Sequence, residues 1–311
     1  MNEDRLIKWL LSGDVSIQYQ VHRDLMNSDK AQLRDRIAKE GWGARFLEKR
    51  NKEGYWGRGF YQPKWTSTHY TLLDLKNLGI TPNNKAIKQS VTSIINSERG
   101  QDGGIYPFGP AKISDVCING MFLNYACYFQ TDEGALKSII DFLIDERMSD
   151  GGFNCYSNRS VGATHSSVHS TISVLEGIHE YNNNGYKYRL KELLEAKSSA
   201  IEFLLIHNLF RSHKSGDIIN NKMLMLSYPS RWRYDILRAL DYLRLTGIDY
   251  DNRMDDAIKI LLKKRRSDAK WPLQARHSGQ SHFEMEKAGK ASRWNTFRAL
   301  RVLRHFNINE N

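Results

Sequence analysis

Three side chains near the middle of the chain could bind a metal ion: Asp115, Cys117 and His169. Aspartate oxygen, thiolate sulfur and imidazole nitrogen are all good ligands for Zn²⁺, and three protein ligands leave a fourth tetrahedral position for water or substrate. A spacing of two places Asp115 and Cys117 on opposite sides of a continuous helix, so they can share an ion only if Asp115 caps that helix. The pattern therefore predicts a catalytic zinc site.

Each of these residue types also has a purely structural use. A single helical cysteine is usually packed in a core, and a single histidine is more often a hydrogen-bonded core residue than a ligand. The metal prediction depends on the three residues occurring together at the starts of apolar segments. Cys155 and His165 lie in neighbouring loops and are the alternative ligands or supporting partners, whereas Cys127 is predicted to be packed inside an apolar segment.

Basic and aromatic residues at the starts of other segments could complete a site. Arginine and lysine would stabilise the charge of a leaving group, and aromatic rings would hold an apolar chain. The structural alternative, in which such residues only fill the cavity, stays open at this stage. The residues predicted to contribute to catalysis are Lys112, Arg231, Trp232, Tyr234 and Arg293.

Six apolar segments alternate with six amphipathic ones and must position these side chains. The apolar segments begin with serine, a good helix N-cap, and are predicted as inner helices starting near Ser16, Ser67, Ser114, Ser166, Ser230 and Ser292. The amphipathic segments are predicted as outer helices over residues 4–11, 31–49, 85–96, 134–147, 187–207 and 253–265. Two alternating layers indicate an all-α fold, an (α/α)6 toroid of six inner and six outer helices that forms one domain over residues 1–311.

Glycine-rich turns precede several of the predicted inner helices. Residues 54–57 read Gly-Tyr-Trp-Gly, residues 101–105 read Gln-Asp-Gly-Gly-Ile, and residues 150–153 read Asp-Gly-Gly-Phe. These turns resemble those of the terpenoid cyclases and of the protein prenyltransferase β subunits, which share an α/α toroid. The resemblance covers nearly the whole chain as architecture and is sharpest from residue 100 to residue 178.

Within this resemblance, Asp115 and Cys117 match the Asp-x-Cys of the prenyltransferase zinc site, and His169 matches the histidine that follows on a later inner helix. Lys112 matches a lysine that contacts the diphosphate of the isoprenoid in that family. The resemblance implies a zinc-dependent transferase in which the ion activates a thiolate or another nucleophile. It also implies a small-molecule substrate such as an isoprenoid diphosphate.

Two positions depart from the farnesyltransferase pattern. Gly109 stands where that family has an arginine near the diphosphate, and Ile118 stands where a tyrosine is usual. The chain also carries no helical-pair domain like that of a prenyltransferase α subunit, so a protein substrate is not implied.

Three other functions compete with the transferase hypothesis. A class II terpene cyclase needs an Asp-x-Asp-Asp acid motif, and its nearest match, residues 249–252, precedes a predicted outer helix. A carbohydrate-active toroid needs two cavity carboxylates, for which Asp115 and Asp235 are the candidates. A toroid that only binds a ligand or a protein is the third alternative, because one fold hosts many functions.

Composition and charge limit the partners and the location expected for the protein. The formal net charge of +11 is spread over predicted outer helices, and no nucleic-acid-binding signature accompanies it, so no nucleic-acid partner is expected. The first residues carry acids and do not resemble an export signal, and no apolar stretch is long enough to span a bilayer. Three cysteines are too few for a disulfide framework and fit a reducing cytoplasm. The sequence leaves the oligomeric state open.

Overall fold

The computed structural model describes residues 3–308 and is all-helical there, with only isolated β-bridges besides. Within those residues no helix is both long and apolar enough to cross a membrane. The described chain contains fourteen α-helices: α1 (Glu3–Leu11), α2 (Val15–Leu25), α3 (Ala31–Arg36), α4 (Gly41–Leu47), α5 (Thr68–Leu78), α6 (Lys85–Ser97), α7 (Val116–Tyr128), α8 (Glu133–Asp145), α9 (Tyr156–Arg159), α10 (Val168–Asn183), α11 (Leu190–Ile206), α12 (Ile236–Leu245), α13 (Asp255–Lys263) and α14 (Arg293–His305).

The predicted inner and outer segments are helical, with two differences. The segment 31–49 is not one helix but two, α3 and α4, because Glu40 is extended at φ −147° and ψ 169° and Gly41, the first residue of α4, has a positive φ of 65°. The helix expected from Ser230 begins only at Ile236, because Arg231 has a φ of 57° in the left-handed region. Asp235 caps that helix instead, and its carboxylate accepts a hydrogen bond from the backbone N–H of Arg238 at 2.8 Å.

The described chain divides into two compact units. The first consists of residues 3–49, 77–81 and 205–308, and the second of residues 50–76 and 82–204. The single domain over residues 1–311 and the count of six helix pairs therefore stay predictions.

In the second unit, α7 and α10 pack along their lengths through glycines. A Cβ atom on Gly120 would lie 2.6 Å from the backbone nitrogen of Val174, and one on Gly177 would lie 2.5 Å from the carbonyl oxygen of Gly120 and 3.2 Å from Leu123. Residue numbers rise together along this contact, so the two helices run parallel. Their N-terminal ends, where the predicted metal ligands lie, therefore point in the same direction.

An acidic side chain in each Gly-Gly turn of this unit is tied to the start of the following inner helix. Asp102 accepts hydrogen bonds from the backbone N–H of Ser114 at 2.9 Å and from its hydroxyl at 2.6 Å. Asp150 binds the backbone N–H and the hydroxyl of Ser166 in the same way. These serines therefore anchor the loops, whereas Ser292 is a true N-cap that accepts from the N–H of Asn295 at 2.9 Å.

Candidate metal centre

The loop between α8 and α10 is held so that one of its cysteines faces the start of α7. The N–H of Phe153 donates to the hydroxyl of Thr171 at 3.0 Å, and the amide of Asn154 donates to the carbonyl of His165 at 2.7 Å. The Asn154 side chain also accepts from the N–H of Cys155 at 2.9 Å. These bonds fix the position of Cys155, which is only 5% exposed.

Asp115, Cys117 and Cys155 come together in the second unit. One ligand atom from each of the three side chains lies within 4.8 Å of the other two. Asp115 is the cap residue of α7, with φ −119° and ψ 130°, and its side chain makes no capping hydrogen bond. The predicted cap position of Asp115 is therefore confirmed, and it leaves the carboxylate available to the neighbouring thiols.

Hydrogen bonds orient the two sulfur atoms. The backbone N–H of Cys117 donates to Sγ of Cys155 at 3.3 Å, and Sγ of Cys155 lies 3.1 Å from the hydroxyl of Ser170 at the start of α10. Two helices and one loop thus converge on Cys155.

The negative charges that the three groups can carry repel one another. The hydrogen bond with Cys155 raises the pKa of the Cys117 thiol well above its usual value, and burial and the negative charges of Cys155 and Asp115 act in the same direction. Burial raises the pKa of Asp115, and its hydrogen bonds with Cys155 and the backbone of Tyr156 offset that effect only in part. Oδ1 of Asp115 is buried and has no hydrogen-bond partner among residues 3–308. One carboxylate and two thiols fit Zn²⁺ by donor type, and a cation would relieve this repulsion and give Oδ1 a partner.

The third member of the group differs from the sequence prediction. His169 lies half-buried in the first turn of α10 and does not belong to the group, and His165 is exposed in the loop. Within the described residues this is the one cluster with metal-ligand spacing. Cys127 is fully buried on α7, as its packing role predicts.

An aromatic wall lies beside the group. Burial raises the pKa of Tyr61, and the negative charges of Cys117, Asp115 and Cys155 raise it further, so the phenol lies within electrostatic reach of the group. The Tyr61 hydroxyl lies 3.1 Å from that of Tyr70. Phe108 stacks on Tyr61 at 6.3 Å and is 64% exposed, so the wall continues to the surface.

Among the basic residues of this unit, Arg159 acts on Asp115 through its charge, and Lys64 acts on both Asp115 and Cys117. Lys64 lowers the pKa of both Asp115 and Cys117 through its charge. Its Nζ lies 5.2 Å from the ring of Trp65. Lys112 is exposed with φ 47°, and its Nζ lies 5.8 Å from the ring of Tyr106. Nothing in the sequence indicated that Lys64 would act on the group. Its position depends on how the chain folds before α5 and not on its spacing from Asp115.

The other four predicted catalytic residues belong to the first unit. Tyr234 is buried and donates to the carbonyl of Leu209 at 2.5 Å, and the guanidinium of Arg233 lies 4.7 Å from the ring of Trp232. Arg231 is 8% exposed. Arg293 donates through Nε to the carbonyl of Trp9 at 3.1 Å, and its guanidinium also covers the Trp9 ring. Their convergence with the metal group stays a prediction.

Replacing Asp115 by asparagine is expected to stabilise the metal-free protein at pH 7 by about 1 kcal/mol, the scale of a typical single-site effect. A raised folded-state pKa contributes stability below the ordinary aspartate pKa and loses it as the pH rises through the folded value. The gain of Asp115→Asn should therefore be present at pH 7 and absent at pH 3. Urea denaturation with a chelator measures it, and a loss of stability at pH 7 would show that the carboxylate is well accommodated.

Comparison with known proteins identifies the fold of the chain. No protein-family model matches the sequence, and no curated protein matches it either. A solved structure of a variant of the type II terpene cyclase MstE from Scytonema, in complex with geranylgeranyl dihydroxybenzoate, aligns with a TM-score of 0.50 at 12% identity. The alignment covers 94% of this chain and 86% of that chain. This likeness shows the fold: the chain has an α/α toroid fold.

Two further MstE structures align over more of their own length but less closely. The apo enzyme and a variant bound to the product merosterolic acid A each have 14% identity and a TM-score of 0.37. The alignments cover 90% and 92% of this chain, and 97% and 98% of those chains. The fold assignment rests on the first alignment alone, and it confirms the all-α toroid class that the glycine-rich turns and alternating helices predict.

Proposed function

We propose that this chain is a zinc-dependent transferase of the prenyltransferase kind, with the ion held by Asp115, Cys117 and Cys155. The observation that carries the proposal is the approach of these three ligand atoms to within 4.8 Å of one another. Three protein ligands leave a coordination position for substrate, which distinguishes a catalytic zinc site from a structural one. The ligand set expected from the sequence, with His169 in place of Cys155, is the alternative that experiment can separate.

The bound ion would supply activation of a thiolate or another nucleophile at neutral pH. Residues of the chain would orient the ligands and balance their charge. The N–H of Cys117 and the hydroxyl of Ser170 orient the Cys155 sulfur, and Lys64 offsets part of the negative charge of the ligands. In the transfer, the nucleophile forms a bond to the allylic carbon while the diphosphate leaves with the electron pair.

A prenyl chain is the proposed electrophile because the metal group adjoins apolar rings. Tyr61 and Phe108 form a stacked pair that reaches from the group to the surface. The prenylated ligand named for the MstE complex supports the same class of substrate for this chain. Lys112, which belongs to the same unit as the metal group, is proposed to stabilise the leaving diphosphate.

Metal content tests the proposal directly. Untagged protein purified without chelator is expected to hold about one zinc per chain by elemental analysis. Cys117→Ala and Cys155→Ala should each reduce this to below about one tenth, whereas His169→Ala should retain the metal. Cys127→Ala is the matched control, because this cysteine is buried on α7 away from the group.

The outcomes separate the ligand sets. Loss of zinc in His169→Ala with retention in Cys155→Ala would restore the ligand set expected from the sequence. A wild-type protein that takes up no zinc even after reconstitution would refute the metal-dependent transferase. The zinc-loaded protein is expected to convert a thiol and geranylgeranyl diphosphate into a thioether and free diphosphate.

A terpene-cyclase-like activity is the second candidate, and one observation favours it. Oδ1 of Asp115 is buried without a partner in the described part of the chain, and burial raises the pKa of this carboxyl, as a proton donor to an alkene requires. A cyclase of this kind should lose activity in Asp115→Asn and keep it in Cys117→Ala and without zinc. The transferase should lose activity in both variants.

A further inference from the structure

Four large apolar side chains are exposed on two loops of the second unit. Phe108 and Ile113 lie on the loop between α6 and α7, and Tyr156 and Val161 lie on the loop between α8 and α10. Their exposed fractions run from 38% to 83%. Among the described residues of this unit, Leu194 on α11 is the one other large apolar side chain with comparable exposure. Apolar exposure in this unit is therefore concentrated on the two loops.

These two loops and the loop before α5 meet beside the metal group. Because α7 and α10 run parallel, the loops that precede them lie at the same end of the unit. Phe108 stacks on Tyr61, which lies before α5, at 6.3 Å. The backbone of Tyr156 hydrogen-bonds Asp115, and Lys64, also before α5, acts on Asp115 through its charge. The exposed apolar side chains therefore belong to one face of the unit.

The charged residues of these three loops have one sign. Residues 56–66, 104–114 and 153–167 contain no aspartate and no glutamate. They contain four lysines and arginines, of which all but the last are exposed: Arg58, Lys64, Lys112 and Arg159. Exposed positive charges beside exposed apolar side chains make the face complementary to a surface that is both negative and apolar.

The acids that flank these loops have partners at the loop ends. Asp102 and Asp150 accept hydrogen bonds from serines there, Asp115 belongs to the metal group, and Glu146 is paired with Arg159. The loop surfaces between these acids are therefore basic.

We propose that this face, which carries Phe108, Lys112, Ile113, Tyr156 and Val161, docks on the surface of an anionic lipid bilayer. Single apolar side chains on loops enter the headgroup region, and the basic residues beside them meet the lipid phosphates. Lysine keeps its charge in water while its stem lies along apolar surface, so Lys112 and Ile113 can lie side by side at such a boundary. The core of a protein interface is instead depleted of charged residues. The mixture of basic and apolar residues therefore favours a bilayer over a protein partner.

Sedimentation with sucrose-loaded vesicles measures this docking, which goes beyond the proposed transferase and needs no bound metal. Wild-type protein is expected to bind vesicles of phosphatidylcholine with about one third phosphatidylserine about tenfold more tightly than vesicles of phosphatidylcholine alone, because basic residues are attracted to a negative membrane surface. Raising the salt concentration from about 0.1 M to about 0.5 M should weaken the binding, because salt screens exposed charges.

Variants of the face should weaken binding to the mixed vesicles. Val161→Asp removes an apolar side chain and adds a negative charge, so we expect a loss of about tenfold. Lys112→Gln removes one positive charge and should cost about fivefold. Leu194→Ser and Lys191→Gln, both on α11, are the matched apolar and basic controls and should leave the affinity unchanged. All four positions are exposed, so the variants should fold, which circular dichroism checks.

Amide hydrogen exchange locates the contact. The mixed vesicles should slow exchange in residues 105–114 and 154–167 and leave α11 unchanged. Protection of α11 in place of the loops, equal affinity for the two kinds of vesicle, or wild-type affinity in Val161→Asp would each overturn the proposal. Self-association that Val161→Asp abolishes, without any vesicle binding, would also overturn it and assign the face to a second copy of the chain. Chelated and zinc-loaded protein should bind vesicles alike, so docking and the transferase fail separately.

Discussion

Gly120→Ala is expected to lower the free energy of unfolding by about 2 to 3 kcal/mol, although alanine is the better helix former. The added Cβ would lie 2.6 Å from the backbone nitrogen of Val174 and 2.7 Å from the carbonyl carbon and oxygen of Ser173. Backbone cannot rotate away as a side chain can, so α7 and α10 must separate. Denaturation in guanidinium chloride, followed by far-UV circular dichroism, measures the loss.

The same separation should also disturb the metal group, because Cys117 lies on α7 and Ser170 lies on α10. We therefore expect Gly120→Ala to bind zinc more weakly even where it remains folded. Gly134→Ala in α8 is the matched control, since the added Cβ would be within 3 Å only of a carboxylate oxygen of Asp132, a movable side-chain atom. It should be neutral or stabilising by up to about 1 kcal/mol. A stabilised Gly120→Ala protein would show that the helices do not approach so closely.

Much of the helical framework could be predicted because its signals are local. Apolar periodicity and turn glycines lie within each segment, and the predicted inner helices near Ser16, Ser67 and Ser114 correspond to α2, α5 and α7. The errors occurred where backbone conformation overrode the pattern. Arg231 adopts a positive φ that delays α12, and the extended backbone of Glu40 separates α3 from α4. Neither conformation follows from hydrophobic periodicity.

The candidate site was predictable only in part, for a related reason. Asp115 and Cys117 are two residues apart, so their relation depends on one helix cap and could be inferred from the sequence. The position of Cys155 depends on side-chain hydrogen bonds of Asn154 and Thr171, which the loop forms only after folding. Sequence order alone favoured His169, which follows the next Gly-Gly turn, and it contained no signal for Lys64.

Asp241→Asn is expected to destabilise the protein by about 3 to 5 kcal/mol, the cost of removing one partner from a buried ion pair. Asp241 is 8% exposed on α12 and accepts hydrogen bonds from Arg244 at 3.0 Å, Arg298 at 3.3 Å and Arg301 at 2.7 Å. Removing its charge takes from Arg298 the carboxylate that its Nε contacts at 3.3 Å and leaves three guanidinium groups around a neutral amide. Chemical denaturation at pH 7 measures this loss. Asp256→Asn, which breaks a more exposed pair with Arg211, should cost at most about 1 kcal/mol.

The pH dependence of Asp241 supplies an independent check with the opposite sign to that of Asp115. Burial alone would raise the pKa of Asp241, but the positive charges of Arg301 and Arg244 outweigh it and hold the pKa well below its usual value. A lowered folded-state pKa contributes stability above the ordinary aspartate value and loses it as the pH falls through the folded value. The difference in unfolding free energy between wild type and Asp241→Asn should therefore be constant from pH 7 to about pH 5 and shrink below about pH 4. A difference that stays constant down to pH 2 would mean that Asp241 stabilises the protein through packing rather than through its charge on Arg244, Arg298 and Arg301.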